Sequence, residues 1–436
     1  MLITFKNAGM VEEAGIRLNG LTVIAGENDT GKSTIGKLIF SIIKTFNRYE
    51  KDALVYRMRN IEDTIEDYYS DFKRKYSNSP ALADVRAIFL ELKNDALKMM
   101  DTPPDKDKIR LSLDEKLKSV AEVIKTVSGI DINFANFPAQ VIEFVDKKPS
   151  PEEIFKRSFG KYMNSLFNGE VANKFSENKG YSITGEEGNK TVFEITGSNG
   201  SITVRLDREF YYEDATFIES PVLLNLADLL RFSKNEFDMD IETRKKVDYL
   251  EKGYAPEYMK DFIMKLTDRK TGRTSLEIPE RIRHIIQGDF YYAPEERDFV
   301  FEKGNKRFKG ISIASGIKYM GAINILLLNG FISRKSLLVI DEPETHMHPQ
   351  WQTRFAEVLV KLVKEGNPIL LTSHSPYLIE ALQLYCDKNL EKGAAAFYLA
   401  DKKDGAFVSR VYDVTHDPSP IFEKLSKPFD ELELLQ

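Results

Sequence analysis

Two short runs, far apart in the chain, carry residue types that belong to one kind of chemistry. Gly26-Glu27-Asn28-Asp29-Thr30-Gly31-Lys32-Ser33 is a complete G-x-x-x-x-G-K-[ST] pattern. Its glycines let successive backbone N–H groups converge on anionic oxygens at the start of a helix. Lys32 supplies a cation for the outer phosphates of a nucleoside triphosphate, and the Ser33 hydroxyl supplies a ligand for Mg2+. Far downstream, Leu337-Leu338-Val339-Ile340-Asp341-Glu342 is an apolar run closed by two carboxylates. Asp341, at the end of a buried strand, can hold Mg2+ directly or through water, and Glu342 is placed to polarise an attacking water as general base. Either run alone has a bland explanation, a glycine-rich turn or a strand ending in an acidic turn. Both together, in this order, predict a nucleotide site.

Two weaker signals point the same way. Ser315-Gly316 precedes a helix-like run from Tyr319 to Leu328. A small pair at a helix N-terminus is either a simple cap or a second anion site, where hydroxyl, N–H groups and helix dipole all face outward. Its place shortly before the Asp-Glu strand favours the second half of a composite ATP site. Pro368 to Leu371 predicts a strand leading into Thr372-Ser373-His374-Ser375-Pro376, where His374 can hydrogen-bond a γ-phosphate. His346 and His348 form an H-x-H that invites a metal reading, but directly after the Asp-Glu pair it reads more simply as a loop at the site's rim.

The surrounding pattern supplies the elements that must hold these residues. Strand-like pieces at Leu2–Phe5, Gly15–Leu18 and Leu21–Ala25 run into the loop, and Thr34 to Phe46 is apolar at helical spacing. Charged helical segments follow at Tyr49–Tyr76, Ala81–Met100 and Lys106–Val127, broken at Asn78-Ser79-Pro80 and Asp101-Thr102-Pro103-Pro104. They lack the uninterrupted heptads of a long coiled coil, so a compact lid or arm stub is expected. Ser150-Pro151-Glu152-Glu153 reads as a capping box. Thr191–Thr196 and Ile202–Leu206 predict a hairpin across Gly197-Ser198-Asn199-Gly200. Strand–helix alternation from Ile311 to Tyr398 suits a parallel α/β core.

The wording of GENDTGKST, SIASGIK, LLVIDEPETHMHP and LLTSHSPYLIEAL resembles the ABC-type ATPase heads of the RecF, SMC and overcoming-lysogenization-defect (OLD) group, closest to the OLD-like branch. Tyr292-Ala293-Pro294-Glu295-Glu296-Arg297 is similar to a Pro-Ala-Glu-Arg segment of that branch, with Glu296 and an Ala-Pro inversion as departures. The resemblance covers residues 1 to 46 and about 288 to 412. It implies an α/β fold: an ABC-type P-loop head with a mainly helical insertion, dimerising head-to-tail around ATP and Mg2+. Gly26 to Thr34, Asp341, Glu342 and His374 would then act in cis, and Ser315 and Gly316 in trans. The family's signature is longer and ends in Gln or Glu, where Ile317-Lys318 stands here, and Glu219 occupies the place of the Q-loop residue. The implied layout is a head N-terminal lobe (1–46), an insertion (47–214), a C-terminal lobe (215–416) and an acidic tail (417–436).

OLD-type nucleases continue into a metal-binding nuclease domain. The residues after His374 carry a hairpin (Ala396–Ala400, Ala406–Val411) around Asp401-Lys402-Lys403-Asp404, not the glutamate and D-x-D set of such a domain. The resemblance therefore implies a stand-alone ATPase like those of the Septu and PARIS systems, which work with a separately encoded nuclease or toxin in antiphage defence. A RecF-like repair or chromosome-maintenance ATPase acting on DNA is the alternative. A transporter subunit is disfavoured, because its signature follows the phosphate loop closely, whereas Ser315 lies 283 residues after Lys32.

Composition bounds these readings without choosing between them. A formal charge of −6 over 436 residues gives no global case for nucleic acid, though local basic stripes remain open. Arg244-Lys245-Lys246, Arg269-Lys270-Thr271-Gly272-Arg273 and Lys303 to Lys309 are candidate contacts to DNA or solvated surface. One cysteine, Cys386, excludes a disulfide framework and suits a reducing compartment. No basic n-region, signal-type apolar core or membrane-length apolar run is found, so a cytoplasmic protein with no membrane partner is expected. In the tail, Ile421, Phe422, Leu425, Phe429, Leu432, Leu434 and Leu435 are spaced to dock a partner helix or to pack on their own domain.

Overall fold

Alternating apolar and polar residues in β1 (Leu2–Ala8) and β2 (Val11–Arg17) give two antiparallel strands. β3 (Leu21–Gly26) is apolar almost throughout and buried on both faces, as a central parallel strand must be. The chain then turns through the phosphate loop into α1 (Lys32–Phe46), which buries Ile35, Leu38, Ile39, Ile42 and Ile43. The computed structural model describes residues 1–77, 80, 82–98, 100, 106–129, 134, 137–146, 149–176, 180–198, 200–207, 210–233, 255–268, 277–403 and 405–433. Two of the basic clusters, Arg244-Lys245-Lys246 and Arg269 to Arg273, lie outside the described residues, as do Asp404, Leu434 and Leu435.

The chain forms two compact units: residues 48–154, and residues 1–47 with 155–436. The smaller unit carries α2 (Tyr49–Lys75), α3 (Leu82–Lys98), α4 (Lys106–Ser128) and α5 (Phe137–Asp146). Phe72, Phe89, Leu113, Leu117, Phe137 and Val141 build its own apolar core. α5 has no counterpart in the sequence reading. The capping box forms at the start of α6 (Pro151–Phe167): the Glu153 N–H donates to Ser150 Oγ and the Ser150 N–H to the Glu153 carboxylate, each at 3.1 Å.

Among the described residues the larger unit is built on one eleven-stranded sheet. The further strands are β4 (Gly180–Glu187), β5 (Lys190–Ser198), β6 (Ser201–Leu206), β7 (Asp214–Ile218), β11 (Ser336–Asp341), β12 (Ile369–Ser373), β13 (Ala395–Lys402) and β14 (Ser409–Asp413). Their order is β6-β5-β4-β1-β2-β14-β13-β3-β12-β11-β7. The five strands from β13 to β7 are parallel, while β6 to β2 form an antiparallel wing. Residues 155–214, expected within a 47–214 insertion, thus join the head: β4 pairs with β1 and extends its sheet. A separate three-stranded sheet holds β8 (Asp289–Ala293), β9 (Asp298–Lys303) and β10 (Lys306–Lys309).

Successive residues of the parallel strands face opposite layers. Leu337, Val339 and Leu370 join the layer of α1 and α6. Leu338, Ile340 and Leu371 join the layer of α8 (Glu257–Thr267), α9 (Glu277–Ile286), α10 (Ser315–Leu328), α11 (Pro349–Lys364) and α12 (Pro376–Asn389). A short α7 (Ala227–Phe232) precedes α8. The last helix, α13 (Ser419–Glu433), buries Ile421 and sets Phe422 and Leu425 against the second layer, so this part of the tail packs on its own domain.

A buried ionic cluster ties α1 to β7 and α8. Lys44 Nζ lies 2.9 Å from Asp214 and 2.6 Å from Asp261, and Lys265 Nζ lies 2.7 and 2.9 Å from the same two carboxylates. Burial alone would raise Asp214, but Lys265 and Lys44 overcome it and bring that carboxyl down to about 2. On the β9–β10 hairpin the third basic cluster is largely paired. Arg307 meets Glu296 and Glu302, and Lys309 meets Glu296. No helix among the described residues is long and apolar enough to cross a membrane.

Candidate nucleotide site

The parallel strands deliver their loops to one edge of the sheet, the edge where ligands bind in open α/β folds. β3 ends in the phosphate loop, β12 ends one residue before His374, and β11 ends at Asp341, with β12 hydrogen-bonded between the other two. This order explains how residues more than three hundred positions apart meet.

The loop's glycines are where the backbone needs them. Gly26 has φ 155°, and an added Cβ would lie 2.3 Å from the Ala400 carbonyl oxygen; Gly31 has φ 81° and abuts Val11. Thr30 Oγ1 donates to the Glu27 carbonyl (2.8 Å), and Ser409 Oγ donates to the Thr30 carbonyl (2.6 Å), pinning the loop from inside and from β14. On its outer side Asp29 pairs with Lys402 at 2.6 Å, and Lys424 of α13 stands 3.5 Å from Glu27. Asn28 is exposed and Thr34 is half-buried. The Lys32 side chain is buried and folds over the loop, donating to the Gly26 and Glu27 carbonyls at 2.9 and 2.7 Å.

Asp341 and Glu342 face this loop from β11. Asp341 Oδ1 accepts from Thr372 Oγ1 at 2.5 Å. Burial raises its carboxyl, while the Thr372 hydroxyl and the neighbouring Ser33 hydroxyl hold that rise in check. The two expected Mg2+ ligands, Ser33 and Asp341, are therefore neighbours. A serine hydroxyl beside a carboxylate is a hard-oxygen set that fits Mg2+ completed by phosphate and water. Glu342 sits at φ 43°, a strained conformation for a non-glycine residue. Its N–H is held by Thr372 through Oγ1 (3.2 Å) and the carbonyl oxygen (3.1 Å). Glu342 Oε1 lies 3.4 Å from Lys32 Nζ, and Oε2 lies 3.6 Å from His374 Nδ1. His374 and then Lys32 lower the Glu342 carboxyl against the opposing effect of burial. Reciprocally, Glu342 and then Glu344 raise the His374 imidazole.

Glu344 was not legible as a functional residue. It is buried, and its Oε1 accepts from Ser373 Oγ (2.7 Å) and from the His374 N–H (2.5 Å), 3.3 Å from His374 Nδ1. It therefore fixes the histidine's backbone and flanks its ring. The signal available was its spacing, two residues beyond Glu342 across a proline. Lys37 and Tyr258 were also missed: Lys37 Nζ pairs with Glu219 Oε1 at 2.8 Å, and Tyr258 OH donates to Glu219 Oε2 at 2.6 Å. This places Glu219 just after β7, beside the Asp341 strand.

Ser315 and Gly316 are not among the residues gathered here. They open α10, with Gly316 packed against Trp351. His348 is a helix cap whose Nδ1 accepts from the Gln350 N–H. Among the described residues no group of three or more His, Cys, Asp or Glu could hold a metal on its own.

Comparison with known proteins agrees with this part of the chain. Residues 322–380 match the family described as "AAA domain, putative AbiEii toxin, Type IV TA system". That stretch runs from α10 into α12 and contains Asp341, Glu342 and His374. Similar solved structures include an SMC head domain from Thermotoga maritima (10% identity, TM-score 0.39, covering 95% of this chain and 98% of that one). Another is an SmcHead bound to the C-winged helix domain of ScpA (10%, 0.42, 96% and 98%). No curated protein matches the chain. The α/β fold, a parallel core flanked by an antiparallel wing with a phosphate loop at the end of β3, is read from the strand order and the loop itself.

Proposed function

We propose that the chain binds and hydrolyses ATP and uses the cycle as a switch. The observation that carries this is the convergence of Lys32, Ser33, Asp341, Glu342 and His374 at one sheet edge. In this reading the loop N–H groups and Lys32 hold the β- and γ-phosphates. Ser33 and Asp341 would hold Mg2+, which neutralises charge on those oxygens. Glu342, ionised at neutral pH, takes a proton from the attacking water, and His374 donates a hydrogen bond to the γ-phosphate. Lys32 already has the loop carbonyls as partners, so a phosphate needs to displace only Glu342 from it.

Two copies would associate head-to-tail, with Ser315 and Gly316 at the N-terminus of α10 completing the partner's site, since they lie outside the cis cluster. The switch would control a separately encoded nuclease or toxin in antiphage defence. The matched family, whose description reads "putative AbiEii toxin, Type IV TA system", supports a setting in which an ATPase domain works with a toxin. The test is to express Glu342→Gln with its native gene neighbours, hold it in ATP, and identify co-purifying proteins by mass spectrometry. A stoichiometric nuclease or toxin is the expected result. Recovery of the ATPase alone, carrying DNA, would replace this role with direct action on DNA.

A further inference from the structure

Beside the phosphate loop the fold leaves two large aromatic rings in solvent. Phe175 and Phe407 are 56% and 66% exposed, yet they stack on each other with centroids 4.9 Å apart and planes 12° from parallel. They come from distant segments, and each is braced against the same turn. The Phe175 N–H donates to Asn173 Oδ1 (2.9 Å), the Asn173 N–H to the Asn7 carbonyl (2.9 Å), and the Gly9 N–H to the Val171 carbonyl (2.7 Å). Phe407 stands two residues before Ser409, whose N–H donates to the Met10 carbonyl (2.8 Å) and whose hydroxyl donates to the Thr30 carbonyl. The shared turn, residues 7–10, itself touches the loop. A Cβ on Gly9 would lie 2.9 Å from Thr34 Cγ2, and one on Gly31 would lie 3.7 Å from Met10 Cβ. Asn7 at φ 55° and Gly9 at φ 59° hold this turn in a conformation few residues adopt.

We propose that Phe175 and Phe407 form the platform on which the base of the bound nucleotide stacks. The inference rests on the ATP reading above and adds the subsite for the other end of the ligand. A paired aromatic surface this exposed is suited to a purine, because stacking requires only a π-face and tolerates partial exposure. Its bracing through the 7–10 turn couples it to Gly31 and Thr34, at the junction of the loop and α1. Burying these rings under a base also removes an apolar surface that otherwise faces water.

The test compares ATP with inorganic tripolyphosphate, which has the phosphates and no base, by equilibrium binding in Mg2+. Phe175→Ala and Phe407→Ala are expected to weaken ATP about tenfold and leave tripolyphosphate unchanged, with Phe407→Tyr retaining ATP affinity. Equal losses for both ligands would mean the rings only brace the loop, and no loss for either would mean the base lies elsewhere; each overturns the platform alone. If the wild-type protein binds neither ligand, the nucleotide reading falls and the platform falls with it.

Discussion

Glu342→Gln separates binding from chemistry in this site. The substitution keeps shape and removes one charge, which faces Lys32 at 3.4 Å and His374 at 3.6 Å. Lys32 retains the Gly26 and Glu27 carbonyls, so it stays seated. The Glu342 side chain is 29% exposed, and losing its ion pairs should cost the fold under about 1 kcal/mol. The rate should respond far more. A positioned general base contributes about 10²- to 10⁴-fold, which at about 1.36 kcal/mol per decade is roughly 3 to 5 kcal/mol of barrier. ATP affinity should hold or tighten, because a phosphate no longer competes with a carboxylate for Lys32. The assay is phosphate release under saturating ATP and Mg2+, beside equilibrium ATP binding. Hydrolysis at the wild-type rate would remove Glu342 from the role of base. Loss of ATP affinity in step with the rate would instead make it a binding residue.

Three further outcomes follow from contacts around the site. Lys265→Met leaves Asp214 and Asp261 buried with Lys44 alone, and should destabilise the larger unit by about 3 to 5 kcal/mol in urea unfolding; a shift below about 1 kcal/mol would show that water or rearrangement replaces the lysine. His374 has a raised folded-state pKa, so its stabilising pairing with Glu342 and Glu344 is fully present below about 6.5 and is lost as pH rises through the folded value. His374→Asn should therefore destabilise at pH 6 and be near neutral at pH 9 in thermal unfolding, and the reverse order would refute the pairing. Asp341→Asn should raise the Mg2+ concentration needed for half-maximal hydrolysis; an unchanged requirement would place the metal elsewhere.

Local signals in the sequence were sufficient where local physics decides the structure. The phosphate loop, α1, the Ser150–Glu153 capping box and the β11 carboxylates all depend on residues within one or two turns of each other. β4 was not legible for a specific reason. Its inward positions are Tyr181, Ile183 and then Gly185, where the Phe193 ring fills the space a side chain would take; an added Cβ would lie 2.1 Å from it. Gly197 read as part of a turn but sits in β5 beneath the Tyr181 ring, again at 2.1 Å. Glycines covered by cross-strand aromatics erase the alternation that marks a strand. With β4 hidden, its pairing to β1 is hidden too, and the sequence pattern alone does not separate residues 155–214 from the helical unit. Lys37, Glu219 and Tyr258 meet only through tertiary packing, across 182 and 39 residues of chain, so no spacing rule could join them.

The most direct test of the central claim is titration of the wild-type and Lys32→Ala proteins with ATP in the presence of Mg2+. One composite site at the β3, β11 and β12 edge predicts saturable binding by the wild type that is lost or strongly weakened in Lys32→Ala, with the fold intact by circular dichroism. Equal ATP binding by the two proteins would contradict it.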